Sequence, residues 1–416
     1  MTAPEAIRTK HAFDALAKRA ALAVCAADAR YDCAADISAV AQAFSQLIAD
    51  RRFLPQFLLK RSEPGRRLLV ECRAPLEDGQ EERPSQNVLQ MPGRDGVYFP
   101  ALLERGNAVP SAGFVALPPL EGRQPLLPCE GAALGSVNLA AHLDAAGALD
   151  RSALGRSVRM AVHFLDNVID TTEYPSGRQS RFTRATRRIG VGFMGLAEAL
   201  RGAGLSYDSP AGRDFASGIA ESIQEEAWAA SRRLAQLRGP FPLFLESVYH
   251  GGAARRNSAV TALFPNECLA ALCGVTPGAQ PGKERPVGAE ACIRMQAALQ
   301  AHIDGTVYLP TAFESREEMQ RLCALAYTLG CKSVEVLSDR APCAWECGQE
   351  AGPDGAAEKL EGPAQRPFGA QALAADPDGI RFCPNCGGPV HLQDGILSCP
   401  NCGPLALPPQ WQELHE

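Results

Sequence analysis

Two short cysteine motifs near the carboxyl end of the chain have the spacing of a metal site. Cys383-Pro-Asn-Cys386 and Cys399-Pro-Asn-Cys402 each hold two cysteines separated by two residues, and a glycine follows each motif. Two such motifs can present four thiolates tetrahedrally to zinc, and glycine permits tight turns beside the metal. The spacing therefore predicts a structural zinc ribbon, whose metal would contribute about 10 to 16 kcal/mol to folding. The alternative is a pair of redox dithiols without metal.

Other cysteines, among the 15 of the chain, are weaker candidates for thiol chemistry. Cys129 can be a reactive thiol or a small buried residue. Cys268 and Cys273 lie close together in sequence, as do Cys343 and Cys347. Each of these two pairs has three interpretations: a redox-active thiol pair, a pair of metal ligands, or two buried apolar side chains.

The charge of the chain argues against one class of function. Lys and Arg number 41 against 47 Asp and Glu, a formal net charge of -6, whereas a broad nucleic-acid-binding face is usually strongly basic. No stretch reaches the roughly 18 to 20 apolar residues that cross a bilayer. The cysteine spacings do not resemble a secreted disulfide scaffold, so we expect a cytoplasmic protein with no membrane partner.

Periodicity and capping residues predict the elements that must position these side chains. Ser209 can cap a helix that Gly239 ends, and Ser315 with Glu318 forms a capping box. The predicted elements are helical 12–53, a strand at 68–72, a loop at 76–87, a helix at 158–169, a helix beginning at Ile189, and an α-to-β unit at 319–337. Strands alternating with helices are typical of an α/β architecture.

Two basic groups have more than one interpretation. Arg184, Arg187 and Arg188 are expected to form a solvated turn before the Ile189 helix, or to have an acidic partner. Arg255 and Arg256 can contact a phosphate or cofactor, or form a solvated charge pair.

Several segments, taken in order, resemble the catalytic subunit of adenosylcobalamin-dependent (class II) ribonucleotide reductase. The agreement in order and spacing extends over about 122–340. The matching segments are 124–128 (QPLLP) with Glu130, 134–139 (LGSVNL), 164–170 (FLDNVID), 188–200 (RIGVGFMGLAEAL), 256–257 (RN), 301–310 (AHIDGTVYLP) and 330–332 (GCK).

The resemblance implies part of a ten-stranded α/β barrel with a cysteine on a central finger loop. In that family, cobalamin cleavage generates a thiyl radical on this cysteine, and the radical abstracts the 3′ hydrogen of the ribonucleotide. Two further cysteines then reduce the 2′ carbon. Members of the family often end in a cysteine-rich zinc module.

The positions that this chemistry requires hold other residues here. Where the finger loop of the family reads Asn-Pro-Cys-Gly-Glu, this chain has Pro119, Glu121 and Arg123 at the asparagine, cysteine and base positions. A carboxylate has no S–H bond to yield, and a guanidinium is not a base near neutral pH. Ala132 replaces the second reducing cysteine, and only Cys72 is a candidate for the first.

The phosphate loop of the family is altered as well. Its Pro-Thr-Gly-Thr sequence, which cradles the substrate diphosphate, corresponds to Pro265, Asn266, Glu267 and Cys268. A glutamate at the glycine position would repel the diphosphate. Ordinary diphosphate binding is therefore disfavoured, although nucleotide binding of another kind stays open.

The chain is short for a complete barrel. Fewer than about 50 residues connect Cys72 to Glu121, where the family carries much of one barrel half. The predicted fold is therefore α/β, with a partial barrel and a small zinc ribbon. The predicted segments are 1–75 (helices and a short strand), 76–118 (a connection replacing much of the barrel), 119–345 (the reductase-like carboxyl-terminal barrel half), 346–381 (a flexible linker), 382–404 (the zinc ribbon) and 405–416 (a tail).

Three functions follow from these observations. The first is a ribonucleotide-reductase-like protein that does not reduce ribonucleotides and acts by binding, to an authentic reductase or to a second copy of itself. The second is an active reductase with rearranged cysteines, or one completed by a partner chain. The third is a zinc-ribbon adaptor. Zinc is the expected metal, and adenosylcobalamin is implied by the resemblance alone.

Overall fold

The fold was obtained as a computed structural model. It describes residues 10–28, 31, 37–56, 71–72, 89–90, 96–113, 115, 124–127, 129–174, 176–264, 266–282, 286–336, 381–382, 389–393, 396–399 and 403–404. The predicted loop at 76–87 and linker at 346–381 lie almost wholly outside these residues.

Helices and short strands alternate along the described chain. In chain order the elements are α1 (Lys10–Cys25), α2 (Ile37–Ala49), β1 (Phe53–Pro55), β2 (Glu71–Cys72), β3 (Leu89–Gln90), β4 (Gly96–Tyr98), α3 (Pro100–Arg105), β5 (Gly131–Asn138), α4 (Arg151–Thr171), α5 (Gly177–Thr186), β6 (Ile189–Met194), α6 (Leu196–Gly202), α7 (Pro210–Arg238), α8 (Glu267–Cys273), α9 (Ala289–Gln300), α10 (Arg316–Thr328), β7 (Ser333–Glu335), β8 (Arg381–Phe382), β9 (Pro389–Gln393), β10 (Ile396–Cys399) and β11 (Gly403–Pro404). No described helix is long and apolar enough to cross a membrane.

A run of parallel strands forms the centre of the fold. Strand β5 pairs in parallel with β6 over six residue pairs. Parallel bridges at Val191 with Thr261, Leu263 with Val307, and Thr311 with Val336 continue the run to β7. The α/β class is thus confirmed.

Antiparallel strands flank this run at both ends. Strands β1 and β2 pair with the free edge of β5, and β4 with β3 pairs beyond β7. Among the described strands β2 and β3 do not pair with each other. The described sheet is therefore an open arc rather than a closed barrel.

The outer face of the arc packs against long helices. Val137 and Val191 belong to the main apolar core together with Val158, Leu165 and Ile223 of α4 and α7. Both β5 and β6 are buried along their whole length. Because side chains of a strand alternate between faces, burial of every residue means that the inner face is covered too.

Small and apolar side chains fill the inner face. Leu126, Ala132, Leu134 and Phe264 form one buried cluster there. Gly190 of β6 permits Leu134 of β5 to pack closely against β6, since a Cβ at position 190 would lie 2.6 Å from Cδ2 of Leu134. The described inner face is thus packed with apolar groups.

Local signals predicted several helices correctly. Helix α4 includes the predicted 158–169, and α7 begins after Ser209, whose Oγ accepts from the amide of Gly212, and is followed by Gly239. Ser315 caps α10 as predicted, because its Oγ accepts from the amide of Glu318 at 3.0 Å, whereas the Glu318 carboxylate accepts from the amide of Glu314 at 2.7 Å rather than from that of Ser315. The helix expected to begin at Ile189 was wrong, because 189–194 is strand β6. Its unbroken apolar pattern reflects burial on both faces of a parallel strand.

Candidate functional site

The reducing-cysteine positions meet at the edge of β5. Strand β2 runs antiparallel to β5, with Glu71 opposite Ala132 and Cys72 opposite Gly131. The register thus brings Cys72 beside position 132, with an offset of one residue. The two positions on β5 facing β2 are glycine and alanine, so this strand pair has no second thiol. Residues 119, 121 and 123 of the finger-loop segment lie outside the described residues.

Cys129 lies buried just before β5. Only 1% of its surface is exposed, and its backbone has φ of 63°, in the left-handed region that non-glycine residues rarely adopt. The two oxygens of the adjacent Glu130 carboxylate accept from Arg188 and from the amide of Leu127. Burial of Cys129 agrees with a packing role.

The remnant of the phosphate loop is tied into the sheet. Asn266 is buried, and its amide nitrogen donates to Ser136 Oγ at 2.9 Å and to the carbonyl of Phe193 at 3.0 Å. Glu267 begins α8 and Cys268 follows it, while Pro265 lies outside the described residues. An amide committed to two sheet groups anchors the loop to β5 and β6.

Cys268 and Cys273 do not form a thiol pair. Both lie on α8, where a separation of five residues turns the side chains about 140° apart around the helix axis. Burial raises the pKa of Cys273 to about 12, although Arg51 opposes the effect. Cys343 and Cys347 lie outside the described residues.

The predicted zinc ligands fall mostly outside the described part. Strands β8 to β11 form a four-stranded antiparallel sheet in the order β11-β10-β9-β8. Cys399 ends β10 opposite Gly403, whereas Cys383, Cys386 and Cys402 are not among the described residues. No group of three potential metal ligands occurs within the described ranges, so zinc stays a prediction.

The most extensive polar arrangement is a buried arginine–aspartate cluster behind the sheet, formed by Asp166, Asp170, Arg187, Arg238 and Arg256. Arg187 donates from Nε to Asp166 at 2.9 Å and from both terminal nitrogens to Asp170 at 2.8 Å. Arg238 and Arg256 each approach the second oxygen of Asp166 at 3.3 Å. None of the five residues is solvated, since α4 and α7 surround the cluster.

The charges of the cluster hold one another in place. Burial alone would raise the pKa of Asp166, but the guanidinium of Arg187 and then that of Arg256 hold it well below its usual range. The pKa of Asp170 is lowered mainly by Arg187, again against burial, and the carboxylates in turn raise the pKa of Arg187. Asp166, Asp170 and Arg187 are thereby held in their charged forms, so the cluster is suited to holding elements together and not to proton transfer.

The same cluster attaches the amino-terminal segment to the core. The hydroxyl of Tyr31 donates to Asp170 at 2.9 Å and accepts from Arg256. Asp28 accepts from Arg238 and, at 2.9 Å, from the amide of Asn167. The helices before β1 are thereby joined to α4 and α7 by charge as well as by apolar packing.

A second polar arrangement, the strand-base cluster, comprises Gln124, Glu130, Arg188, Asp304 and Lys332. Arg188 Nε donates to Glu130 at 2.9 Å, and Lys332 Nζ donates to the carbonyl of Asp304. Burial lowers the pKa of Lys332 to about 8, although Asp304 opposes the effect. Arg188, Asp304 and Lys332 precede parallel strands, so the cluster lies at the amino ends of those strands.

The structure corrects the expectation of solvated arginines. Arg187 and Arg188 are 3% and 2% exposed and have acidic partners. Arg256 joins the buried cluster, and the guanidinium of Arg255 lies over two rings that contact each other edge-on, 4.1 Å from the centroid of Trp228 and 4.0 Å from that of Tyr249.

Sequence reasoning did not foresee the two polar clusters. Their signal was present in part, because Asp166 and Asp170 are one helical turn apart on an otherwise apolar face, where charges need partners. Asp28 and Tyr31 gave no such signal, since their partners are more than a hundred residues away in sequence.

Comparison with known proteins finds that the central segment is similar to one family. A family model for the ribonucleotide reductase barrel domain matches residues 128–255. The vitamin B12-dependent ribonucleoside-diphosphate reductase of Mycobacterium tuberculosis (strain CDC 1551 / Oshkosh) is 41% identical over 189 residues, which cover 45% of this chain and 27% of that protein. The protein of the same name from Thermoplasma acidophilum is 33% identical over 187 residues, covering 45% of this chain and 24% of that protein.

A solved structure gives a weaker likeness. The alpha subunit of the class Id ribonucleotide reductase of Actinobacillus ureae matches with 19% identity and a TM-score of 0.48, covering 57% of this chain and 56% of that one. The sequence matches span about a quarter of the length of the curated reductases. The shared segment includes β5, α4, β6 and most of the arginine–aspartate cluster.

Proposed function

Because this chain belongs to the ribonucleotide reductase family over residues 128–255, we propose that it is a reductase-like protein that does not reduce ribonucleotides and acts by binding. The observation that carries the proposal is the pairing of β2 with β5. Cys72 stands opposite Gly131, and Ala132 stands opposite Glu71. Reduction at the 2′ carbon in this family consumes two thiols, and this strand pair supplies one.

The retained and the altered residues support the same proposal. Those retained from the matching segments, such as Asp166, Asp170 and Arg256, are buried in ion pairs. The altered ones are Glu121, Arg123 and Ala132, at the positions that perform radical chemistry and reduction. A chain that has kept the scaffold and not the reactive groups is suited to binding.

A reductase assay tests this proposal. Purified full-length protein is mixed with adenosylcobalamin, dithiothreitol and ribonucleoside diphosphates or triphosphates, with an active vitamin B12-dependent reductase as positive control. We expect no deoxynucleotide above background. Steady product formation that Cys129→Ser abolishes would refute the proposal in favour of a reductase with rearranged cysteines.

The partner in this proposal is an authentic reductase or a second copy of the chain. The open arc supports a binding role, because its outermost described strands, β2 and β3, have no pairing with each other, and unpaired strand edges readily accept a further strand. Size-exclusion chromatography with light scattering, of the chain alone and mixed with the reductase of the same cell, distinguishes the two. A chain that stays monomeric in both experiments contradicts the proposed partners.

The sheet formed by β8 to β11 supports a second candidate function, a zinc-ribbon adaptor. In this sheet Cys399 pairs with Gly403, and Gly403 directly follows Cys402 in the sequence. The backbone at two predicted zinc ligands is therefore close together. Metal analysis of the full chain should find one zinc per molecule, reduced in Cys399→Ser and unchanged in Cys268→Ser. Absence of zinc from protein purified without chelators would rule the adaptor out.

A further inference from the structure

Two buried side chains of the strand-base cluster have polar atoms without a partner. Gln124 is 1% exposed, and neither atom of its amide has a hydrogen-bond partner among the described residues. Arg188 is 2% exposed, and its Nη2 is likewise without a described partner. Leaving a buried polar group unsatisfied is unfavourable, more so when the group is charged. Two such groups in one cluster point to a ligand.

Contacts connect these two side chains through a closed series of neighbours. The amide oxygen of Gln124 lies against Gly305, since a Cβ there would be 2.0 Å from it. The carbonyl of Gly305 accepts from Lys332 Nζ at 3.3 Å. A Cβ at Gly305 and a Cβ at Gly190, two residues after Arg188, would each lie 2.9 Å from Cβ of Ala262. Arg188 in turn holds Glu130, only six residues along the chain from Gln124. The unpartnered atoms thus belong to one region.

The carboxylates of this region are already in use, whereas the amide oxygen of Gln124 is an acceptor without a partner among the described residues. Glu130 accepts from Arg188 through one oxygen and from the amide of Leu127, at 2.7 Å, through the other. The carboxylate of Asp304 accepts from the backbone amides of Val260 and Thr261 at 2.9 and 3.1 Å. Donors remain on a guanidinium, a primary amide and an ammonium group, which has three N–H bonds. This combination matches a small oxyanion, because planar guanidinium and amide donors suit carboxylate and phosphate oxygens.

We propose that the strand-base cluster binds a small oxyanion, with Arg188, Gln124 and Lys332 as its donors. The site lies at the amino ends of the parallel strands. The altered phosphate loop around Asn266 follows the carboxyl end of a strand and is therefore at the opposite end of the sheet. The site is independent of whether the chain reduces ribonucleotides, so its test and the reductase assay can fail separately.

Titration of the full chain with inorganic phosphate tests the site. Thermal unfolding and calorimetry are recorded in a chloride buffer of constant ionic strength, with sulfate and acetate as further anions. We expect a saturable rise in the melting temperature and a measurable heat of binding. A wild-type protein with no saturable response overturns the proposal.

Substitutions at Gln124 show whether phosphate binds at the strand-base cluster. Gln124→Met removes both unpartnered amide atoms at similar volume, so it should keep or raise the melting temperature without phosphate and weaken phosphate binding at least tenfold. Gln280→Met, a half-buried glutamine near the opposite end of the sheet, is the matched control and should bind phosphate as the wild type does. Equal weakening in both variants, or a lower melting temperature of Gln124→Met with unchanged phosphate binding, overturns the proposal.

A second substitution keeps the test informative if Gln124→Met does not fold. Gln124→Glu has the shape of glutamine and places a carboxylate in the region that holds Arg188 and Lys332. It should raise the melting temperature without phosphate and abolish the phosphate response. A variant that is destabilised and still responds to phosphate contradicts the assignment of these donors.

Discussion

Asp166 is the residue whose replacement should most clearly reveal the role of the buried arginine–aspartate cluster. Its side chain is 0% exposed and accepts hydrogen bonds from Arg187, Arg238, Arg256 and Asn257. Asp166→Asn preserves the shape and one acceptor but removes the charge that offsets three guanidinium groups. Removing one partner of a buried ion pair costs about 3 to 5 kcal/mol. We expect the lower end, about 3 kcal/mol, because the amide oxygen can still accept.

Urea unfolding followed by circular dichroism measures this loss. With a slope of about 2 to 3 kcal/mol per molar urea, the midpoint should fall by about 1 M. Glu290→Gln is the control, since Glu290 lies on the surface of α9 and pairs only with the exposed Arg294 and Arg321, and its midpoint should hardly move. A decrease below about 0.5 kcal/mol for Asp166→Asn, the range of ordinary surface substitutions, would refute the reasoning.

The pH dependence gives an independent check of the same residue. The pKa of Asp166 is lower in the folded protein than its usual value, so the unfolded chain binds more protons as the pH falls. The stabilisation by the charged carboxylate is complete above its usual value near 4 and is lost as the pH falls further. The difference in unfolding free energy between wild type and Asp166→Asn should therefore shrink in acid and stay constant between pH 5 and 8. A difference independent of pH down to the acid transition would contradict this account.

Three further predictions concern single positions. Because Cys129 has a positive φ, Cys129→Gly should be more stable than Cys129→Ala by about 1 kcal/mol in urea unfolding; the reverse order would argue against this backbone conformation. Residues directly opposite in an antiparallel pair have Cα atoms about 4.5 to 5.5 Å apart, within disulfide range, so oxidised Gly131→Cys should form a disulfide with Cys72 in peptide mapping and Ala132→Cys should not. A disulfide that forms in Ala132→Cys and not in Gly131→Cys would show that the true register differs by one residue from this one. The pKa of Lys332 near 8 lies below its usual 10.5, so wild type should gain stability from pH 8 to 10.5, as the proton that disfavours the folded state is lost. Lys332→Met should lack this gain, and an identical pH profile in the two proteins would count against burial of the charge.

Local signals in the sequence predicted the elements that depend on neighbours along the chain. Ser209 and Gly239 bound α7 because caps satisfy the backbone groups of helix ends, which is a local requirement. Ser315 with Glu318 marked the start of α10 for the same reason. Strand β6 was mistaken for a helix because a parallel strand buried on both faces loses the alternation that identifies strands.

The features of the candidate site likewise fall into those that the sequence predicted and those that it did not. Residue types alone determined that Glu121 and Arg123 cannot do the work of a thiol and a base, since that conclusion needs only their chemistry and the family motif. Charge pattern alone suggested an acidic partner for Arg187 and Arg188 but could not name it. Nothing near Asp28 or Tyr31 in sequence indicated that their side chains reach α4 and α7.

The sequence by itself determined the α/β class, the reductase resemblance and the residue types at positions 121, 123 and 132, because these depend on residue identity and short-range pattern. Only the tertiary structure decided that Cys72 pairs with Gly131 on β5, that the arginines are buried partners of Asp166 and Glu130, and that Gln124 and Arg188 have polar atoms without a described partner at the strand bases. The physical reason is that strand register and buried ion pairs are set by contacts between residues far apart in the chain. Such contacts become favourable only when packing excludes water, so no local pattern records them.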